Sequence, residues 1–147
     1  MDSLKFEKMK KVLVLLFSVI ALNVYAFADK PVTYAQLPQK AQQFITKYFS
    51  GVEFLSAKLD DGEYEVKLVD GTEIEFTTAG EWKKVDCRTR AVPSALVPEA
   101  IAKYVKGKFP KNLITKIEKK HNGFEIELNN DLELKFDKNG NFLHVDD

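Results

Sequence analysis

Laid against itself at an offset of 60 residues, the chain matches without a gap. Leu37-Pro38 falls on Val97-Pro98, Phe49 on Phe109, Glu65 on Glu125, Leu68 on Leu128, Glu73 on Glu133, Phe76 on Phe136, Gly80 on Gly140 and Val85-Asp86 on Val145-Asp146. Between these identities, Phe44 meets Tyr104, Ile45 meets Val105, Val66 meets Ile126, Ile74 meets Leu134 and Trp82 meets Phe142. A match that keeps two different periodicities in register constrains the fold strongly. It predicts two copies of one supersecondary unit, each burying its apolar side in the same way.

Each copy opens with helical spacing. Leu37, Ala41, Phe44, Ile45, Tyr48 and Phe49 form one apolar stripe, and Val97, Ile101, Tyr104, Val105 and Phe109 repeat it. Pro38 and Pro98 are placed at the first helical position, where a missing N–H costs nothing, and Gly51 and Pro110 mark the ends. The period then changes to two. Tyr64, Val66 and Leu68 alternate with Glu63, Glu65 and Lys67, Asp70-Gly71 turns the chain, and Ile74 and Phe76 alternate with Glu73 and Glu75. The second copy has Phe124, Ile126 and Leu128, a turn over 129–131, then Leu132, Leu134 and Phe136. Flanking strands are predicted over 52–59 and 81–86, and over 112–120 and 141–145. The fold class is therefore α+β, two tandem repeats of one helix followed by a four-stranded antiparallel meander. The helix stripe needs a sheet face to cover it, so the helices pack on one face and leave the other open.

Ahead of the repeats stand Lys5, Lys8, Lys10 and Lys11, an uncharged apolar run over 12–22, and Ala26-Phe27-Ala28. This is the order of a secretory signal peptide, with an apolar core too short to span a bilayer. Translation starts at Met1 or Met9, and the argument for export is the same from either. The expected organisation is a removed signal peptide over 1–28, a first repeat over 29–86, a connector over 87–96 and a second repeat over 97–147. Removing four lysines and two acids from the chain's 22 of each leaves 18 basic and 20 acidic residues, a formal charge of −2. No basic stripe of the kind that neutralises phosphates appears, so nucleic acid is not an expected partner, nor is a membrane once the signal is cleaved. The single cysteine, Cys87, has no internal disulfide partner.

The helices with an L-P or V-P start, the charged alternating strands, the segment from Trp82 to Asp86 and the signal peptide resemble the PepSY-like family of exported bacterial proteins, which is β-lactamase-inhibitor-like. The likeness runs over roughly 33–147. It implies a fold similar to β-lactamase inhibitor protein, in which two tandem units present a concave sheet to a partner, so the open face here would bind a protein. The inhibitor holds its loops with disulfides and this chain has one cysteine, so the resemblance carries architecture and not the identity of a partner.

On the open face, alternation places Glu65, Glu75, Glu125 and Glu133, with Trp82, Lys84, Phe142 and His144 on the last strands of the two copies. Trp82 and Phe142 are opposite in parity to Val85 and Val145, which belong to the core, so regular strands would stand two aromatics on a carboxylate-rich surface. A bulge would reverse that parity and bury both rings. The glutamates alternatively serve as solvated strand positions or gather a hard cation such as calcium. Asp137, Asn139 and Asn141 resemble the start of a calcium loop, but the loop's later glutamate is missing and a tight turn explains them equally well.

No H-E-x-x-H, zinc-type cysteine pair or G-x-S-x-G occurs. His121, His144 and Cys87 compose no evident catalytic set. The expectation is a periplasmic or secreted non-enzymatic module that binds an exported protein through the open face, with no cofactor. The alternative is a protein that binds or senses a small ligand or a divalent cation, calcium, on the acidic face.

Overall fold

The computed structural model describes residues 29–146, so the signal-peptide reading over 1–28 and the choice of start lie outside the described residues. Two helices, α1 (Gln39–Tyr48) and α2 (Glu99–Lys108), accompany nine strands: β1 (Lys30–Val32), β2 (Phe54–Asp60), β3 (Glu63–Leu68), β4 (Glu73–Thr77), β5 (Trp82–Asp86), β6 (Ile114–Lys120), β7 (Gly123–Leu128), β8 (Glu133–Asp137) and β9 (Phe142–Asp146). All nine join one sheet, each pairing antiparallel with the next in chain order. From α1 to β5 and from α2 to β9 the bounds recur 60 residues apart.

Sequence pattern explains most of this. Ala41, Phe44 and Ile45 of α1, and Ile101 and Val105 of α2, are buried in the same core as Val66, Leu68, Ile74, Phe76, Ile117, Ile126, Leu128, Leu134 and Phe136. Phe44 meets Phe76 edge to face at 5.4 Å, and Tyr104 meets Phe136 at 5.5 Å, so both helices lie on the same side of the sheet. Pro38 and Pro98 stand one place earlier than expected, at the N-caps, where their carbonyls accept the first intrahelical hydrogen bonds. The hairpin turns also fit closely under the helices. Gly80, with φ of +86°, approaches so near that an added Cβ would lie 2.9 Å from Pro38 Cβ.

The structure departs from the sequence reading in four places. The short strand β1 was not expected; it pairs Val32 with Ala57, and its neighbour Pro31 occupies an edge where a missing N–H is tolerated. The sheet runs unbroken from one half into the other through β5 and β6, which pair Lys84 with Glu118, Val85 with Ile117 and Asp86 with Lys116. The connector is packed: Cys87, Val92 and Leu96 are buried in the core.

The fourth departure is a loss of symmetry. Val85 is 0% exposed, whereas Val145, placed in the core by its equivalence, is 40% exposed. Val85 lies on an inner strand flanked by β6, and Val145 lies on the sheet's edge, with no strand beyond it among the described residues.

Candidate functional site

The face away from the helices is built from the positions that alternate with the core. Cross-strand pairing aligns them in a row: Lys58 beside Glu65, Glu65 beside Glu75, Glu75 beside Lys84, Lys84 beside Glu118, Glu118 beside Glu125, Glu125 beside Lys135 and Lys135 beside His144. A second row runs Lys67, Glu73, Asp86, Lys116, Glu127, Glu133 and Asp146. Glu65, Glu75, Lys84, Glu125, Glu133 and His144, all expected on the open face, are thus on it together. Lys58, Asp86, Lys116 and Glu118 complete it. Their signal was available in the alternation of Lys116 and Glu118 with the apolar Ile117.

Two carboxylates directly opposite one another would repel. The first row avoids this by giving each carboxylate a lysine on its other side. Lys58 lies 3.0 Å from Glu65 and Lys84 lies 2.6 Å from Glu75. Lys135 pairs with Glu125 and, at 2.6 Å, with Glu133, while Lys116 pairs with Glu127. In the second row Arg88 reaches Glu73 at 2.6 Å. Glu125 is the most enclosed of these acids, at 8% exposure. Burial works against its charge, but the Glu133 carboxyl and the Lys135 and Lys120 ammonium groups more than offset that and hold its pKa down at about 2. Burial likewise disfavours charge on Lys84, and the neighbouring Glu75 overcomes it, leaving that pKa raised.

The two aromatics expected among these charges are elsewhere. Between Glu75 and Phe76 the register slips, so that Glu75 faces Lys84 and Phe76 faces Trp82; Lys83 is the extra residue of a bulge. The same slip makes Leu143 the extra residue between His144 and Phe142. Each bulge reverses the parity of the strand's start and turns the ring to the helix side. Trp82 lies 6.1 Å from Phe44, with Lys119 Nζ 3.9 Å above its ring, and Phe142 stacks on Tyr104 at 4.6 Å. The sheet face has no aromatic anchor at either position.

Asp137, Asn139 and Asn141 form the turn between β8 and β9. One oxygen of Asp137, Oδ1, accepts from the backbone N–H groups of Asn139 and Asn141, both at 2.9 Å, and Oδ2 accepts from Asn141 Nδ2 at 3.0 Å. These bonds hold the Asp137 pKa below its ordinary value and commit the carboxylate to closing the turn. Among the described residues, no group of three or more His, Cys, Asp or Glu side chains is placed to hold a metal ion. Cys87 is 3% exposed, and burial pushes its thiol pKa up, away from the range of a nucleophile. His121 is exposed in the turn between β6 and β7. Among the described residues, no helix is long and apolar enough to cross a membrane.

Comparison with known proteins places this architecture. A family model described as "Putative beta-lactamase-inhibitor-like, PepSY-like" matches residues 62–144. Among solved structures, a "putative calcium-regulated periplasmic protein" from Bacteroides thetaiotaomicron is 40% identical, over 81% of this chain and 97% of that one, with a TM-score of 0.77. A "putative periplasmic protein of unknown function" from Bacteroides vulgatus is 37% identical, over 82% of this chain and all of that one, with a TM-score of 0.79. A second periplasmic protein from Bacteroides vulgatus is 38% identical, over 81% of this chain and 97% of that one, with a TM-score of 0.77. No curated protein gives a significant match.

Proposed function

This chain belongs to the PepSY-like, beta-lactamase-inhibitor-like family, and from that premise we propose that it is a periplasmic, non-catalytic binding module built from two copies of one helix-and-meander unit. Its contact surface is the charged face of the sheet. The observation that carries this reading is the row from Lys58 to His144, in which eight side chains from eight successive strands make one surface. Periplasmic placement rests on the relatives described so, and on the signal-like residues at the start of the chain.

Without Trp82 and Phe142 the face has no large apolar anchor, so recognition falls to charge. A partner suited to it presents ammonium and guanidinium groups where Glu65, Glu75, Glu118 and Glu125 lie in pairs between the lysines. Such an association is fast and weakens with salt. The test is capture of partners from periplasmic extract by the mature protein and by a Glu75→Lys/Glu125→Lys variant. Capture that is salt-sensitive and lost in the variant supports the reading, whereas unchanged recovery ends it.

A second reading follows from the relative described as calcium-regulated. Calcium would have to compete with lysines for the carboxylates, and the second row favours it most, since five acids there stand with two lysines. Calorimetric titration separates the two, since the absence of heat at millimolar calcium removes the cation.

A further inference from the structure

In the first half of the molecule a short 3-10 turn, Tyr34–Gln36, lays the Tyr34 ring against the side of α1. The ring meets Phe54 edge to face at 5.6 Å. Its hydroxyl donates to the Gln42 carbonyl at 3.1 Å and lies 3.3 Å from Thr46 Oγ1. The turn recurs 60 residues later as Ser94–Leu96, closed by the same hydrogen bond: Leu37 N–H to the Tyr34 carbonyl in one, Val97 N–H to the Ser94 carbonyl in the other, both 3.1 Å. Ser94 brings no ring. The residues at the positions that hold Tyr34 are Ala102, Lys106 and Ile114, and all three line a mainly apolar groove of about 250 Å³, with Val97, Val105 and Phe109 around them. The groove is the place of a tyrosine ring that this half of the chain does not supply.

The filled half indicates what suits the open one. Walls that enclose a single ring in one half suit a single ring in the other, and 250 Å³ is below the range of about 300–1,000 Å³ that takes drug-sized ligands. At the far end the Ala102 carbonyl is positioned like that of Gln42, and Lys106 replaces the Thr46 hydroxyl with a cationic donor. An oxygen at the para position of the ring therefore finds both an acceptor and a donor. Beside the mouth, Leu113 is 47% exposed where the first half has Glu53, so apolar surface continues beyond the groove and can receive residues flanking the ring. We propose that this groove, between α2 and the start of β6, binds a tyrosine side chain presented by an extended segment of a partner protein. It is a second contact surface, separate from the charged face of the sheet.

The test is a two-dimensional NMR titration of the mature protein with the blocked peptide Gly-Gly-Tyr-Gly-Gly, the same peptide with alanine at the centre, and p-cresol. Saturable shifts at Val97, Val105, Leu113 and Ile114, with the tyrosine peptide at least about tenfold tighter than the alanine one, are the expected result. Ser94→Tyr refills the groove from within and should abolish binding. Ala102→Leu obstructs it from an exposed helix position, so the outcome does not depend on one variant folding. Shifts without saturation, equal binding of the alanine peptide, or binding retained in both variants would overturn the proposal. If p-cresol binds as tightly as the tyrosine peptide, the site serves free phenols and a partner segment is excluded. The Glu75→Lys/Glu125→Lys variant should bind the tyrosine peptide normally, so failure of the sheet-face reading and failure of this one are distinguishable.

Discussion

Lys135 stands between two carboxylates, Glu125 and Glu133, and the three act as one group. Because the folded-state pKa of Glu125 lies near 2 and its ordinary value is 4.5, the carboxylate stabilises the fold fully above pH 4.5. That contribution is lost as pH falls through the folded value. Glu125→Gln should therefore lower stability at pH 7 by about 1–2 kcal/mol, and the gap to the native protein should close by about pH 2. Urea midpoints measured across that range check both halves of the expectation; a gap that stays constant with pH would mean that Glu125 acts through shape alone. Trp82 makes a different case. Its contacts with Phe44 and Lys119 are on the helix side, so Trp82→Ala should cost about 2 kcal/mol, less than for a fully buried ring, and should leave capture by the charged face unchanged. Which residues are polar-facing was legible for the glutamates, since Glu65 and Glu75 alternate with Val66, Ile74 and Phe76. Trp82 and Val85 lie three apart, an odd spacing that in a strand means opposite faces or a bulge. The sequence carried that ambiguity, and only packing against Phe44 resolved it.

Among elements, the helices and inner strands were readable because their periods differ and each stripe has one way to be buried. Boundaries predicted from capping and turn residues fall within a few positions of the observed α1 and α2. The bulges were not readable. A single extra residue such as Lys83 or Leu143 breaks no propensity rule, and it is favoured because it lets Trp82 reach Phe44 and Phe142 reach Tyr104. The seating of turns under helices is equally a matter of tertiary packing, and it can be measured. Gly62 and Gly80 both have positive φ, but an added Cβ at Gly62 meets nothing within 4 Å, while at Gly80 it meets Pro38 and Lys40 at 2.9 and 3.0 Å. Gly62→Ala should cost about 1 kcal/mol, from backbone conformation alone. Gly80→Ala should cost about 2–4 kcal/mol because conformational strain and overpacking add. Equal losses by thermal unfolding would refute the contact of this turn with α1.

At the scale of the molecule, β5 and β6 join the two halves into one sheet, and Val85 and Ile117, a cross-strand pair, are both 0% exposed at the junction. Ile117→Ala should cost about 2–4 kcal/mol and move a single unfolding transition. Two resolved transitions in calorimetry would show instead that the halves unfold separately. The sequence by itself determined the period of every main element, the equivalence of positions 60 apart, the burial of the Phe44/Val66/Phe76 series and the charged character of the other face. These follow from local periodicity, which a single unit expresses without reference to the rest. Tertiary structure alone decided what breaks the equivalence. It made Val85 interior and Val145 an edge residue, turned Trp82 and Phe142 toward the helices, and left a groove beside Ser94 where Tyr34 fills its counterpart. Each of these depends on what lies beyond the unit or across it, a neighbouring strand or a helix surface, and a repeat read along one chain does not specify its neighbours.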